Sequence, residues 1–141
     1  MIKAVIIDDE KNALEVLEMQ LNQLCKEVIV LATCNSGKEG VKAIKELQPD
    51  LVFLDIEMPM LNGFDVLEEL GRDLPFDIIF ITAYDNFGIQ AVKFSALDYL
   101  LKPVQNRELK EAIEKHLKKA MQKIPSEQIE VLLNNVHAEK K

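Results

Sequence analysis

The chain of 141 residues has the length of one ordinary domain, and its 48% hydrophobic and 29% charged residues are typical of a water-soluble globular fold. Its formal net charge of -7 repels phosphate backbones, which argues against direct binding to nucleic acid. No apolar run approaches the roughly 20 residues of a membrane span, and acidic residues stand at 8–10, where a secretion signal would be apolar. We therefore expect a cytoplasmic protein with no membrane segment, in which Cys25 and Cys34 are reduced and buried.

Short apolar runs recur along the chain, and an amphipathic segment follows each of them. The runs are rich in Val, Ile, Leu and Phe without clean alternation, which is typical of strands covered on both faces of a parallel sheet. The predicted strands are 2–7, 28–34, 51–54, 78–81 and 97–101.

The amphipathic segments carry apolar residues at helical spacing, and the second opens with the spacing of a capping box at Ser36 and Glu39. The predicted helices lie within 14–24, 36–48, 64–70, 86–94 and 106–121. Five such units predict a doubly wound α/β fold, because an α/β barrel needs eight units and about 250 residues. A further apolar stripe over 126–137 predicts a helical extension, so we divide the chain into a domain at 1–122 and a C-terminal linker or extension at 123–141.

Polar side chains stand at the carboxyl ends of four predicted strands. These residues are Asp8 and Asp9 after the first strand, Asp55 after the third, Thr82 at the end of the fourth and Lys102 at the end of the fifth. Taken singly, each has an ordinary role as a turn former, a helix cap or a solvated charge. Right-handed crossovers bring all these strand ends to one edge, however, and no folding rule requires five such groups there.

Crowded carboxylates need a cation, and a hard divalent ion with oxygen ligands such as Mg²⁺ is the natural choice. Asp9 and Asp55 would bind it directly, and Asp8 partly through water. An aspartate can also accept a phosphoryl group, whose charge Lys102 and the metal would stabilise while Thr82 donates a hydrogen bond. We expect the phosphoryl group to persist, which favours a switch over a metabolic catalyst, because both histidines lie on C-terminal helical segments, far from this edge.

Four segments in this order resemble the receiver domain of two-component response regulators, and the resemblance extends over residues 1–122. The segments are IIDDE (6–10), LVFLDIEMPMLNG (51–63), IIFITAYD (78–85) and DYLLKP (98–103). The resemblance implies a flavodoxin-like sheet with strand order 2-1-3-4-5 and five helices.

The resemblance also implies a role for each residue at the site. Asp55 would be the phosphoacceptor for a sensor histidine kinase, and Mg²⁺ would be held by Asp8, Asp9, Asp55 and the backbone carbonyl of Glu57. The chain would then catalyse only its own phosphorylation and slow dephosphorylation, so it would not be an enzyme in the usual sense.

Signalling would pass through three further positions. Lys102 would pair with the phosphoryl oxygens and precede a cis peptide bond to Pro103, Thr82 would be the switch hydroxyl, and Tyr99 the switch aromatic. Their movement would reshape the face made by the fourth helix, fifth strand and fifth helix. We expect the domain to form a homodimer through this face when it is phosphorylated. The excess of Lys and Arg over Glu at 102–123 fits either a dimer face or a solvated helix surface.

Residues 83–104 resemble receivers of the LytTR class, which usually carry a C-terminal DNA-binding domain. Such a domain would start where this sequence ends, so the chain is either an excised receiver, which contacts DNA only through an output domain, or a stand-alone regulator. Three other classes stay open. A Mg²⁺-dependent aspartyl-phosphate phosphatase or phosphotransferase would need a D-x-D pair where Asp55 and Glu57 stand. A flavodoxin-like cofactor carrier would need a phosphate-binding loop after the first strand, where two acidic residues stand instead. An oligomerisation module would leave the polar residues at the strand ends unexplained.

Overall fold

The computed structural model describes residues 1–71 and 73–122, and the predicted extension at 123–141 lies outside this part of the chain. The described residues form a five-stranded parallel sheet in the order β2-β1-β3-β4-β5. The strands are β1 (Ile2–Ile7), β2 (Val28–Cys34), β3 (Leu51–Leu54), β4 (Asp77–Thr82) and β5 (Asp98–Leu101). The helices are α1 (Lys11–Leu24), α2 (Gly37–Leu47), α3 (Gly63–Leu70), α4 (Gly88–Lys93) and α5 (Asn106–Gln122). The predicted fold class and strand order are confirmed.

Each face of the sheet packs against its own layer of helices. One core joins the sheet to α1 and α5 and contains Leu17 and Ile113. The other joins it to α2, α3 and α4 and contains Ile44 and Phe64. From Ala4 onward, alternate residues of β1 point into the two cores, which explains why residues 4–7 form a continuous apolar run after the exposed Lys3. In such doubly wound sheets, ligands bind beyond the carboxyl ends of the strands.

Helix α4 is shorter than predicted and begins two residues later. Phe87 stands at its N-cap without a side-chain hydrogen bond, and Phe94 caps its other end. Ser95 then has a left-handed backbone with φ 57°, which does not continue a helix. The apolar spacing over 86–94 therefore reflects packing as well as helical periodicity.

Two helix starts near the predicted site have side-chain caps. Ser36 Oγ accepts a hydrogen bond from the Glu39 backbone N–H at 3.2 Å, as the sequence predicted, although the Glu39 carboxylate accepts from Asn35 N–H. At α3, Asn62 and Asp65 form a reciprocal capping box at 2.9 and 3.0 Å. No capping box was predicted at Asn62, because the pattern N-x-x-D is a weaker signal than S-x-x-E.

Within residues 1–71 and 73–122, none of the helices combines the length and the apolar character needed to cross a lipid bilayer.

Candidate functional site

Three aspartates gather at the carboxyl edge of the sheet. Asp8 and Asp9 follow β1, and Asp55 follows the adjacent strand β3. Each offers a carboxylate oxygen, and these oxygens lie within 4.8 Å of one another. Asp8 and Asp55 are both buried, with 4% of their surface exposed. The predicted convergence of the three acids is confirmed, and their oxygens form a suitable donor set for a small hard cation.

Lys102, which directly follows β5, reaches into this acidic cluster. Its Nζ lies 2.8 Å from Asp8 Oδ2 and 3.3 Å from Asp55 Oδ2, and 3.7 Å from Glu10 Oε1. Its backbone N–H donates to the Thr82 carbonyl at 2.8 Å, which fixes the lysine beside the end of β4. One ammonium group therefore joins two buried carboxylates.

The electrostatics of the cluster favour binding of a second cation. Burial, followed by the negative charge of Asp8, raises the pKa of Asp55 to about 7, although Lys102 acts in the opposite direction. Burial tends to lower the pKa of Lys102, but its hydrogen bond to Asp8 and the charges of Asp55 and Asp8 raise it overall, so the lysine stays protonated. Since one ammonium does not fully compensate these acids, a divalent cation beside them would favour the ionised form of Asp55.

Thr82 and Tyr99 are joined through one backbone residue. Thr82 is fully buried, and its Oγ1 accepts a hydrogen bond from the Tyr84 N–H at 3.3 Å. The Tyr99 hydroxyl donates to the Tyr84 carbonyl and accepts from the Phe87 N–H at 3.3 Å. Both predicted switch residues thus hold the segment between β4 and α4. No sequence pattern indicated this link, because it passes through main-chain atoms.

The segment that follows Asp55 packs closely against the start of α3. The Gly63 N–H donates to the Ile56 carbonyl at 2.8 Å, and a Cβ atom at Gly63 would lie 2.5 Å from the Asp55 carbonyl oxygen. Only glycine leaves room for this approach, and nothing in the pattern around Asn62 and Gly63 indicated it. The side chain of Glu57 is exposed, and the predicted role of its backbone carbonyl as a metal ligand stays a prediction. The Lys102–Pro103 peptide bond is cis, as the resemblance implied.

The histidine in the described part of the chain belongs to a different cluster. His116 Nδ1 on α5 lies 2.7 Å from Asp77 Oδ2 at the start of β4, and Lys119 Nζ lies 2.6 Å from Asp77 Oδ1. This cluster is at the amino end of β4, away from the aspartates, as the sequence predicted for His116. The predicted position of His137 lies outside the described residues.

Four of the basic residues around α5 are paired with acids of the same chain. Besides Lys102 and Lys119, Lys115 lies 3.0 Å from Asp98 and Arg107 lies 3.9 Å from Glu111. Part of the positive charge seen in the sequence is therefore neutralised by acids of the same molecule, whereas Lys110 and Lys118 make no ion pair among residues 1–71 and 73–122.

Residues 4–114 match the response regulator receiver domain family. The chain belongs to this family. An uncharacterised response regulatory protein of Yersinia pestis is 41% identical over 109 residues, which cover 77% of the chain and 45% of that protein. The transcriptional regulatory protein BtsR of Escherichia coli (strain K12) is 35% identical over 138 residues, which cover 98% of the chain and 56% of BtsR. This receiver domain therefore spans about half the length of the curated relatives it matches.

Solved receiver structures have the same architecture. The response regulatory domain of mrkE from Klebsiella pneumoniae aligns with a TM-score of 0.77 at 26% identity, covering 86% of the chain and 99% of that domain. A response regulator receiver domain protein from Clostridium thermocellum aligns with a TM-score of 0.78 at 30% identity, covering 88% of the chain and 100% of that protein chain. As a receiver domain, the chain acts in phosphorylation-based signalling, and its cluster of aspartates is the acidic pocket at which receiver domains generally bind Mg²⁺.

Proposed function

We propose that Asp55 accepts a phosphoryl group from the phosphohistidine of a sensor kinase and that the resulting change is passed to the face made by α4, β5 and α5. The single observation that supports this most strongly is the contact of Lys102 with both Asp8 and Asp55 inside a cluster of three carboxylates. This arrangement provides a nucleophile, a positive charge for the transferred group and oxygen ligands for a metal, all at one sheet edge.

Asp8, Asp9 and Asp55 would hold Mg²⁺, with the Glu57 backbone carbonyl as a further ligand. When bound, the ion would compensate the charge of the transferred phosphoryl oxygens and keep the carboxylates ionised. Burial and Asp8 raise the pKa of Asp55 to about 7, so its ionised form needs this compensation before it can act as a nucleophile.

In the transfer, an Asp55 carboxylate oxygen forms a bond to phosphorus while the bond between phosphorus and the donor imidazole nitrogen breaks. Lys102, already 3.3 Å from Asp55, would move its ammonium onto a phosphoryl oxygen. Thr82 Oγ1 would release the hydrogen bond that it accepts from the Tyr84 N–H, and the hydroxyl would donate a hydrogen bond to another phosphoryl oxygen. Because Tyr99 holds the carbonyl of the same residue, the change at Thr82 would reach the α4–β5–α5 face.

The aspartyl phosphate should be long-lived, so we infer that the domain is a switch and not a turnover enzyme. In the described part of the chain, the histidine that could activate a water molecule is His116, and it is hydrogen-bonded to Asp77 at the other end of β4. Steady hydrolysis of small phosphate esters would instead favour the aspartyl-phosphate phosphatase alternative.

The experiment that tests the site is phosphorylation by acetyl phosphate, with and without Mg²⁺, followed by intact mass. We expect wild type to gain one phosphoryl group only with Mg²⁺, and Asp55→Asn to gain none. Asp73→Asn is a matched control, since Asp73 is exposed and has a left-handed backbone that asparagine tolerates. Phosphorylation of Asp55→Asn to the wild-type extent would remove Asp55 from its role.

We further propose that the complete protein controls transcription through a LytTR-type DNA-binding domain that follows this receiver. The support is the resemblance of residues 83–104 to that class and the relatives of about twice this length, one of which is a transcriptional regulatory protein. Under this proposal 1–122 is the receiver and 123–141 the linker to the output domain. The alternative, a stand-alone receiver, would act through protein partners alone.

A further inference from the structure

A cleft opens from the acidic cluster into the side of the molecule between α1 and the segment that follows β5. It encloses about 250 Å³. Its floor is formed by buried sheet residues such as Ile6, Phe53 and Ile81, and its walls include Leu17 of α1 and Val104. An apolar cavity of about 150 Å³ is already large enough to hold a benzene ring, so this cleft is large enough for a ring with a short substituent.

The cleft is held open by a side-chain bridge at its far end. Gln20 Nε2 on α1 donates to the Val104 carbonyl at 2.9 Å and to Asn106 Oδ1 at 3.0 Å. These bonds fix the distance between α1 and the start of α5, so the walls do not need to separate when a ligand enters. A site that exists before binding loses less free energy to reorganisation.

The mouth of the cleft is acidic. Asp8, Glu10 and Asp55 line it, and Lys102 is the positively charged residue among its lining side chains. Three carboxylates against one ammonium give an excess of negative charge where the apolar interior meets solvent. A ligand that fits both parts has an apolar body and a positively charged head.

We propose that this cleft binds a small organic cation, an amidine or a primary amine with a compact apolar body, whose head contacts Asp8 and Glu10 while its body lies between α1 and Val104. Binding would place the head next to the carboxylates that would hold Mg²⁺. The ligand would therefore compete with the metal and keep the domain unphosphorylated, a consequence that rests on the proposed function although binding itself does not.

The first test uses benzamidine as the probe and benzamide as its neutral analogue of the same shape. Both are titrated into the whole chain in magnesium-free buffer and followed by two-dimensional amide NMR. We expect shifts along residues 13–20 and at Val104, with benzamidine binding about tenfold more tightly than benzamide because of its charged hydrogen bonds. Added Mg²⁺ should weaken benzamidine binding by a similar factor.

The second test fills the cleft. Ala13 is a half-buried cleft residue on α1, and Ala13→Leu adds volume while keeping a strong helix former. We expect it to weaken benzamidine binding about tenfold, through loss of the space for the ring, without changing Mg²⁺ binding. Gln23→Leu, which places the same side chain on the exposed side of α1, should bind benzamidine as wild type does.

Equal binding of benzamidine and benzamide, shifts confined to other surfaces, or full binding by a folded Ala13→Leu variant would each overturn the proposal. If Ala13→Leu does not melt cooperatively, the comparison of the two probes on wild type decides alone. Failure of this proposal would leave phosphorylation of Asp55 intact. Failure of the proposed function would leave benzamidine binding intact, so the two outcomes are distinguishable.

Discussion

Lys102 carries the positive charge that stabilises the cluster of three aspartates. It contacts Asp8 and Asp55 directly, whereas Asp9 makes no ion pair within residues 1–71 and 73–122. Asp9 nevertheless offers an oxygen within 4.8 Å of those of both other aspartates. At the scale of single residues, the acids are therefore unequal, since Asp8 takes part in attraction and repulsion and Asp9 mainly in repulsion.

This inequality predicts opposite effects of two similar substitutions. In the absence of metal, Asp9→Asn should raise the melting temperature at neutral pH by about 2–5 °C, because it removes one of the negative charges that repel each other in the aspartate cluster. Asp8→Asn should lower it or leave it unchanged, because the 2.8 Å pair with Lys102 is weakened as well. Thermal unfolding with a metal chelator checks both. A lower melting temperature for Asp9→Asn than for wild type would contradict the repulsion argument.

The contact between β4 and α5 depends on Asp77, His116 and Lys119. Asp77 accepts hydrogen bonds from both partners, and its side chain is only 10% exposed. Burial raises the pKa of Asp77, but the hydrogen bonds from Lys119 and His116 and their charges outweigh it and lower the pKa below its ordinary value of 3.8. At the scale of elements, this cluster fixes the second half of α5 to the strand that ends in Thr82.

The lowered pKa fixes how the stability contributed by Asp77 changes with pH. A carboxylate whose pKa is lower in the folded state stabilises the fold above its unfolded pKa, and this contribution is lost as the pH falls through the lower, folded value. Asp77→Asn should therefore reduce the free energy of unfolding by about 1–3 kcal/mol at neutral pH. The difference from wild type should shrink below a pH of about 4.

Denaturant unfolding of both proteins at a series of pH values measures this difference, and Asp73→Asn, at an exposed carboxylate, serves as the control. If the difference in free energy of unfolding between wild type and Asp77→Asn stays constant or grows as the pH is lowered, Asp77 does not act as an ionised acceptor.

For the whole molecule, the net charge of -7 and the paired bases of α5 bear on self-association. Because Arg107 and Lys115 already contact acids of the same chain, these two bases are less available in the unphosphorylated form to attract a second acidic copy. Dimerisation would then need the reshaping that phosphorylation brings, and we predict that only the phosphorylated domain dimerises.

Size-exclusion chromatography with light scattering, before and after acetyl phosphate and Mg²⁺, measures this prediction. Wild type should move from monomer to dimer mass on phosphorylation, and Asp55→Asn should stay monomeric. A monomer whose intact mass shows full phosphorylation would contradict it.

The bounds of β1, β2 and β3 could be predicted from the sequence because apolar residues dominate each strand, with Lys3 and Thr33 as the polar residues inside β1 and β2, and because a polar residue follows each strand. Most of the site could be predicted as well, since strand order brings Asp8, Asp55 and Lys102 to one edge. What could not be predicted depends on distant or main-chain contacts. The short α4, the approach of Gly63 to Asp55, and the pairing of His116 with Asp77 across 39 positions leave no local pattern.

Two side chains bind the backbone of Tyr84. Thr82 Oγ1 accepts a hydrogen bond from its N–H, and the Tyr99 hydroxyl donates one to its carbonyl. Under the proposed function this has a thermodynamic consequence, since coupling between two sites is reciprocal. If phosphorylation of Asp55 changes the affinity of the domain for a protein that binds the outer surface and favours one position of Tyr99, then binding of that protein changes the equilibrium constant for phosphorylation of Asp55 by the same factor. Targets of this domain would therefore also shift the fraction of it that is phosphorylated at equilibrium.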